Sequence, residues 1–434
     1  MRARWVAVVA AAVVATVTVV GDPAGAAAGT AAQPQFRVER VWNPNVTDWE
    51  PTVAADPSSH YVYQMTTRYG GKVVCGQYPY LKHCIVFRAS NDGGRTWGPD
   101  HVMCPPCDNV GFQNDPQVKV AADGTIYAAW MNNWRVVFSK SFDHGATWTP
   151  PINLQRPVGA FTDKPILTIS PSGRDVYVAF NSSDSYVRAS HDYGATFTDP
   201  VRTNDDRRYW FAEGGAVAPD GTVYLAESAE HQSATGSVQL WLLRSSDGGA
   251  SWQQTLVATS RQQPACPEAG CPPDFYGSQM NVAVDSAGTV MVEYAANDAA
   301  GAPLTMQTST TTDGVHFTNP VEVSAGAYLV GANFPAIAAG TVPGDFRIAF
   351  QDDRNGYRAW NTWYRQTADG GQTWSPALRL SDVNGGTVYK GPHGYFFPDG
   401  DYFGMAVDSS GTTFVVWGES PNYNRSGGTW FTRD

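Results

Sequence analysis

Apolar and polar residues alternate along most of this chain with the period of β-strands, and the alternation comes in copies. One phrase joins a polar lead-in, an alternating strand, a turn rich in Gly, Pro or Ser, and a second strand. It occurs as WEPTVAADPSSHYVYQM from Trp49, NDPQVKVAADGTIYAAW from Asn114, DKPILTISPSGRDVYVAF from Asp163 and FAEGGAVAPDGTVYLAE from Phe211. Three more copies, SQMNVAVDSAGTVMVEY, NFPAIAAGTVPGDFRIAF and DYFGMAVDSSGTTFVVW, start at Ser278, Asn333 and Asp401. Period-two alternation bounded by Gly, Asp and Ser predicts hairpins of half-buried strands. No stretch keeps a helical apolar period long enough to predict a helix.

A second phrase alternates with the first. SNDGGRTW starts at Ser90, SFDHGATW at Ser141, SHDYGATF at Ser190, SSDGGASW at Ser245 and TADGGQTW at Thr367, with a shortened TTDGVHF at Thr311. Each sets a hydroxyl two residues before an Asp, then glycine, then an aromatic. The Asp carboxylate can accept backbone N–H bonds within its own turn, glycine permits positive φ, and the aromatic packs between strands.

Together the two phrases give four strands per repeat, with IVFRAS or VVFSKS as third strands and PVRTN or PALRLS as fourth. Four antiparallel strands at intervals of about 50–65 residues predict propeller blades. Seven copies predict an all-β, seven-bladed propeller over residues 35–434, with six blades as the alternative. The last copy ends at GTWFTRD, a third strand, and QFRVERVWN near the N-terminus matches the missing fourth. Pairing of the two would close the ring and remove an open sheet edge. If the inner strand runs from an upper to a lower face, the Asp turns lie below. The starts of first strands and the ends of second strands then lie above, where function is expected.

The remaining composition limits the partner. Residues 1–28 read as a signal peptide: Arg2 and Arg4, an Ala/Val-rich run to Val20, then small residues around Ala24–Ala28. A short flexible segment, 29–34, precedes the propeller, and a secreted monomer without membrane insertion is expected. The formal net charge of −11 argues against nucleic acid, whose backbone needs a basic face. Six cysteines in an exported chain predict local bridges, and proximity favours Cys75–Cys84, Cys104–Cys107 and Cys266–Cys271. EF-hand and HExxH spacings are absent and Asp352–Asp353 is too little for a calcium site, so no metal or cofactor is expected.

Aligning the copies selects residues for the upper mouth. Asp115 falls beside Glu50, Lys164, Ala212, Gln279, Phe334 and Tyr402, preceded by Asn114, Trp49, Asp163, Phe211, Ser278, Asn333 and Asp401. The second strands end on Met65, Trp130, Phe180, Tyr294, Phe350 and Trp417, but on Glu227 in blade four. A carboxylate where other blades place bulk is costly unless paired or functional. Arg354, Arg358, Arg208 and Arg68 are further upper-face cations.

The turn S-x-D-x-G-x-T-W resembles the Asp box of the sialidase-like (BNR-repeat) propellers, and the resemblance spans the mature chain. It implies a propeller fold and a pocket acting on extracellular glycans. By the same resemblance GFQNDPQV offers Asp115 as the inward acid, AEGGAV offers Glu213 as the group that activates a tyrosine, and DYFGMAVD offers Tyr402 as nucleophile. Asp401 and Glu227 complete the catalytic set. Glu50, Trp49, Lys164, Asn333 and Arg354 are the candidates for holding substrate. Sialidases open their first inner strand with an Arg that grips the substrate carboxylate. Glu50 stands there instead and would repel a sialic acid.

Three functions fit: a glycoside hydrolase, a polysaccharide lyase and a carbohydrate-binding propeller. The hydrolase would pair an acid with a nucleophile across a sugar-sized cavity. The lyase would abstract a proton beside a uronate with Tyr or His, drawing on Lys164, His231, Lys390 or His393. In the binder, Trp49, Trp130, Trp210 and Trp417 would be stacking platforms.

Overall fold

The computed structural model describes residues 34–434, apart from 71–74, 76–80, 104–110, 156–161, 206–207, 231–236, 263, 265–277, 328–330, 357–358, 383–402 and 420–426. These residues form seven four-stranded antiparallel sheets, each built from consecutive strands except the last. The molecule is a seven-bladed propeller, and six blades are excluded. No helix of the described residues is long and apolar enough to cross a membrane.

The innermost strands are Thr47–Ala55, Gln113–Val120, Asp163–Ile169, Tyr209–Val217, Met280–Val284, Ala332–Ala339 and Gly404–Val407. Alternate side chains of each blade face opposite neighbours, so the apolar period in sequence becomes a ring of inter-blade cores. Tyr63, Met65 and Phe87 of blade one pack on Val118, Ile126 and Trp130 of blade two. Tyr127, Phe138 and Leu154 of blade two meet Leu167, Val178 and Phe180 of blade three. Burying each such side chain stabilises by about 1.5–3 kcal/mol. Trp130, Trp210 and Trp417 are all fully buried in these layers, so they are core and not platforms.

The ring closes as the C-terminal phrase predicts. Arg40–Val41 pairs antiparallel with Gly428–Arg433, placing the N-terminal segment as the fourth strand of blade seven. Arg37 N–H also donates to Arg433 O at 2.8 Å, and Trp42 N–H to Thr429 O at 2.7 Å. Beyond this strand the chain is clasped to blade one. Trp42 Nε1 donates to Asp100 at 2.8 Å, and the Arg88 guanidinium lies between the Trp42 and Trp97 rings, 4.0 and 4.3 Å from their centroids. Arg68, a candidate surface cation, is instead buried and paired with Asp48 at 2.7 Å and Asp100 at 2.5 Å.

The aspartate turns all lie at the lower end, because Ser90 pairs with Val62, which also faces Ala55, the last residue of the inner strand. Asp92 accepts the N–H of Thr96 at 2.9 Å and the Thr96 hydroxyl at 2.6 Å, while Ser90 Oγ accepts the N–H of Gly94 at 2.8 Å. Asp143, Asp192, Asp247 and Asp369 repeat this pattern. These donors hold the Asp carboxyls below their ordinary range. The glycine has two reasons to be there. At Gly145 φ is +89°, and an added Cβ would sit 2.2 Å from the Phe87 ring of the preceding blade.

Candidate functional site

The upper ends of four inner strands share an irregularity that the sequence encodes as X-Pro. Glu50, Asp115, Lys164 and Phe334 have φ of 55°, 55°, 46° and 61°, and each precedes a proline. In each blade the register skips there: Trp49 to Thr52, Asn114 to Gln117, Asp163 to Ile166 and Asn333 to Ala336. Such bulges bend a strand and re-aim the extra residue's side chain. Positive φ in a non-glycine residue costs of order 1–3 kcal/mol and concentrates where backbone geometry serves a site. Blade four has a shorter bulge, between Ala212 and Gly214, with Glu213 as the extra residue. Counted from either side of the bulge, Ala212 and Glu213 stand where Asp115 and Pro116 stand in blade two, so the alignment of Asp115 with Ala212 holds and Glu213 takes the place of the proline. The equivalent of Trp130 in blade one, however, is Thr66, not Met65, because Thr66 and Trp130 both sit opposite the bulge.

Below this rim a central cavity of about 270 Å³ is lined by all seven inner strands. Lys164, Glu213, Gln117, Gln279, Asn281 and Lys119 supply its polar side chains. Blade four comes close only because it lacks side chains: a Cβ on Gly214 or Gly215 would lie 2.1 Å from Asn281 Oδ1 or Thr168 Oγ1.

The structure brings several predicted residues together. Glu50 Oε2 accepts the Thr67 hydroxyl at 3.0 Å and the backbone N–H of Asp115 at 3.3 Å, so the acids of blades one and two are tied at adjacent bulges. Asp115 is largely buried and Glu50 half-buried. Lys164 Nζ lies 5.0 Å from the Phe211 ring centroid, and Phe211 packs at a tilt on Tyr209 with ring centroids 4.8 Å apart. Glu213 reaches the cavity wall with Ser228 Oγ donating to it at 2.7 Å.

Other predicted residues lie elsewhere. Glu227 does not line the cavity. It is fully buried between blades three and four, accepting Ser185 Oγ at 2.7 Å and the Thr203 hydroxyl at 3.3 Å. Burial pushes its carboxyl up to about 8 against these hydroxyl donors, and the charge of Glu213 adds to the rise. Glu227 therefore stands behind Glu213. Asn333 is fully buried, which takes it off the substrate-facing surface, and half-buried Trp49 packs on Tyr69 at 4.6 Å. Arg354 is held by Asp352 and stacks on Trp363 at 3.8 Å, away from the cavity lining. Cys75 and Cys84 are bridged, with Cα atoms 6.0 Å apart. Tyr402, Asp401, Cys104, Cys107, Cys266, Cys271, His231, Lys390, His393, Arg358 and the signal segment lie outside the described residues.

Two ionisable groups, one buried and one half-buried, escape sequence reasoning. Glu293, on the second strand of blade five, is fully buried, and burial raises its carboxyl well above the ordinary range. Counting from the lower end, Met65, Ala129, Ala179, Ala226, Ala349 and Val416 occupy its position. Lys119 sits in a cavity ring whose other members are Ala54, Thr168, Ala216, Ala283, Ala338 and Ala406, and burial lowers its ammonium pKa. A charge at a position that the other blades give to apolar or small residues was the available signal in both cases.

No family model matches this chain, and no curated protein sequence matches it significantly. Solved structures do. The Hadza microbial sialidase is similar with a TM-score of 0.50 at 18% identity, covering 89% of this chain and 65% of its own. This chain thus spans about two thirds of that sialidase's length. A protein of unknown function from Dyadobacter fermentans has a TM-score of 0.52 at 14% identity, covering 92% and 98%. A PL25 ulvan lyase has a TM-score of 0.52 at 12% identity, covering 89% and 93%. At these identities the likeness is one of propeller fold alone.

Proposed function

We propose that this protein is a secreted glycoside hydrolase whose substrate enters the upper mouth of the channel. The observation that carries the reading is the placement of Glu50, Asp115, Lys164 and Glu213 on the bulges of four successive blades, with Lys164 and Glu213 lining the central cavity and Glu50 and Asp115 tied to each other beside it. Glycosidic cleavage needs a proton donor at the leaving oxygen and a nucleophile or base on the opposite side. Asp115 is the proposed acid. Tyr402, placed at the blade-seven mouth by sequence alignment, is the proposed nucleophile, with Glu213 as the base that activates it. Asp401 is its proposed neighbour, Ser228 holds Glu213 in place, and Glu227 is buried behind it. Glu50 and Lys164 bind sugar hydroxyls, and Glu50 disfavours a carboxylate at that subsite, so a non-sialic glycan is the substrate class. The aspartate turns, with the hydrogen bonding expected of an Asp box, and the signal-like N-terminus support a secreted protein of the sialidase-like type.

A lyase is the second reading, favoured by Lys164 beside the phenol of Tyr209, where a uronate could be neutralised and deprotonated. A panel of extracellular glycans separates the two: a hydrolase releases reducing sugar with no unsaturated product, whereas a lyase creates the ultraviolet absorbance of an unsaturated uronate. Tyr402→Phe is expected to abolish hydrolysis. Full turnover by that variant removes the tyrosine from the mechanism, and no cleavage of any glycan by the wild-type protein removes the enzyme reading.

A further inference from the structure

Three carboxylates distant in sequence meet at the seam of the ring. Glu39 immediately precedes the closing strand, Asp382 follows the outer strand of blade six (Leu378–Arg379), and Glu419 ends the second strand of blade seven (Thr413–Glu419). One oxygen from each lies within 4.8 Å of the other two. Glu39 is 6% exposed and Glu419 1%, whereas Asp382 lies at the surface.

The environment of Glu39 points to a missing positive partner. Its Oε1 accepts the backbone N–H of Asp382 at 2.5 Å, but its buried Oε2 has no hydrogen-bond partner. Glu419 is aimed by the Trp417 indole, whose Nε1 donates to its Oε2 at 2.7 Å. Buried carboxylates at this spacing are costly unless a proton or a cation balances them. An all-oxygen set suits a hard cation. Calcium binds oxygen at about 2.3–2.6 Å, so two ligands of one ion can stand up to about 5 Å apart.

We propose that Glu39, Asp382 and Glu419 form a calcium site that pins the N-terminal closing segment to blades six and seven. The ion would tie together three parts of the chain that a ring must hold in order to stay closed. It lies on the blade seam and takes no part in the glycan chemistry.

The full chain, stripped with a chelator, is titrated with calcium chloride by calorimetry and melted with and without the ion. One bound calcium per chain and a rise in melting temperature are expected, with magnesium giving a smaller rise. Asp382→Asn, an exposed change that leaves the core intact, should weaken calcium binding about tenfold or more and remove the rise. Absence of both binding and stabilisation in the wild-type chain overturns the proposal. So does an Asp382→Asn variant that keeps the full calcium effect. Glu39→Gln distinguishes the rival account: if it melts as high as the wild type without calcium and neither responds to the ion, a proton balances the cluster.

Discussion

The two ends of the propeller treat repetition in opposite ways. At the lower end Asp92, Asp143, Asp192, Asp247 and Asp369 each bond the residues of their own turn in one pattern, and a glycine meets the side chain of the preceding blade. At the upper end four bulges share one backbone geometry, yet they carry Glu50, Asp115, Lys164 and Phe334. Identical side chains in identical geometry hold a frame. Different side chains in identical geometry present chemistry, because the backbone has fixed where each one points.

This contrast breaks if upper-face changes cost folding or lower-face changes cost chemistry. The largest effect is expected from Asp115→Asn and Glu213→Gln, each lowering glycan turnover by about 10²–10⁴-fold. Their melting temperatures should stay near that of the wild type. A collapse of stability in both would move these acids from the site to the frame.

Gly145→Ala should do the reverse. It forces a Cβ towards the Phe87 ring in a positive-φ turn and is expected to destabilise by about 2–4 kcal/mol. Denaturant melts measure the loss, and activity per folded molecule should be unchanged.

Glu227→Gln tests the layer between frame and site. A carboxyl raised to about 8 when folded, against an ordinary value of 4.5, binds its proton more tightly in the native state. It contributes stability that is fully present below about pH 4.5 and is lost as pH rises through about 8. The Gln variant should flatten this part of the pH–stability profile, gaining on the order of 5 kcal/mol over the wild type at alkaline pH. An unchanged slope would mean that Glu227 is ionised when folded. The smallest effect belongs to Asp92→Ala, expected to cost about 1 kcal/mol by chemical denaturation, since its turn is solvent-facing and the other turns remain.

Much of the fold was legible because strand alternation and turn chemistry are local. Period-two runs between Gly, Asp and Ser gave blade number and strand order, and the unmatched third strand at GTWFTRD pointed to closure by the N-terminus. The bulge residues were also legible, since Glu50, Asp115 and Lys164 each precede a proline at a strand opening. Glu213 was found by resemblance, and the alignment of its neighbour Ala212 with Asp115 holds, because both bulges add one residue to the inner strand.

The sequence by itself determined which blades exist and which residues stand at their upper ends. Tertiary structure decided which charges face water, which face each other and which are shut away. Glu227, Asn333 and Arg354 looked like mouth residues, but inter-blade packing and pairing with Ser185, Asp352 and Trp363 withdrew them. The meeting of Glu39, Asp382 and Glu419 had no signature along the chain. Alternation gives a side chain's face within its own sheet. Only closing the ring sets the neighbour on that face, and with it the burial and field that turn a carboxylate into core, ligand or catalyst.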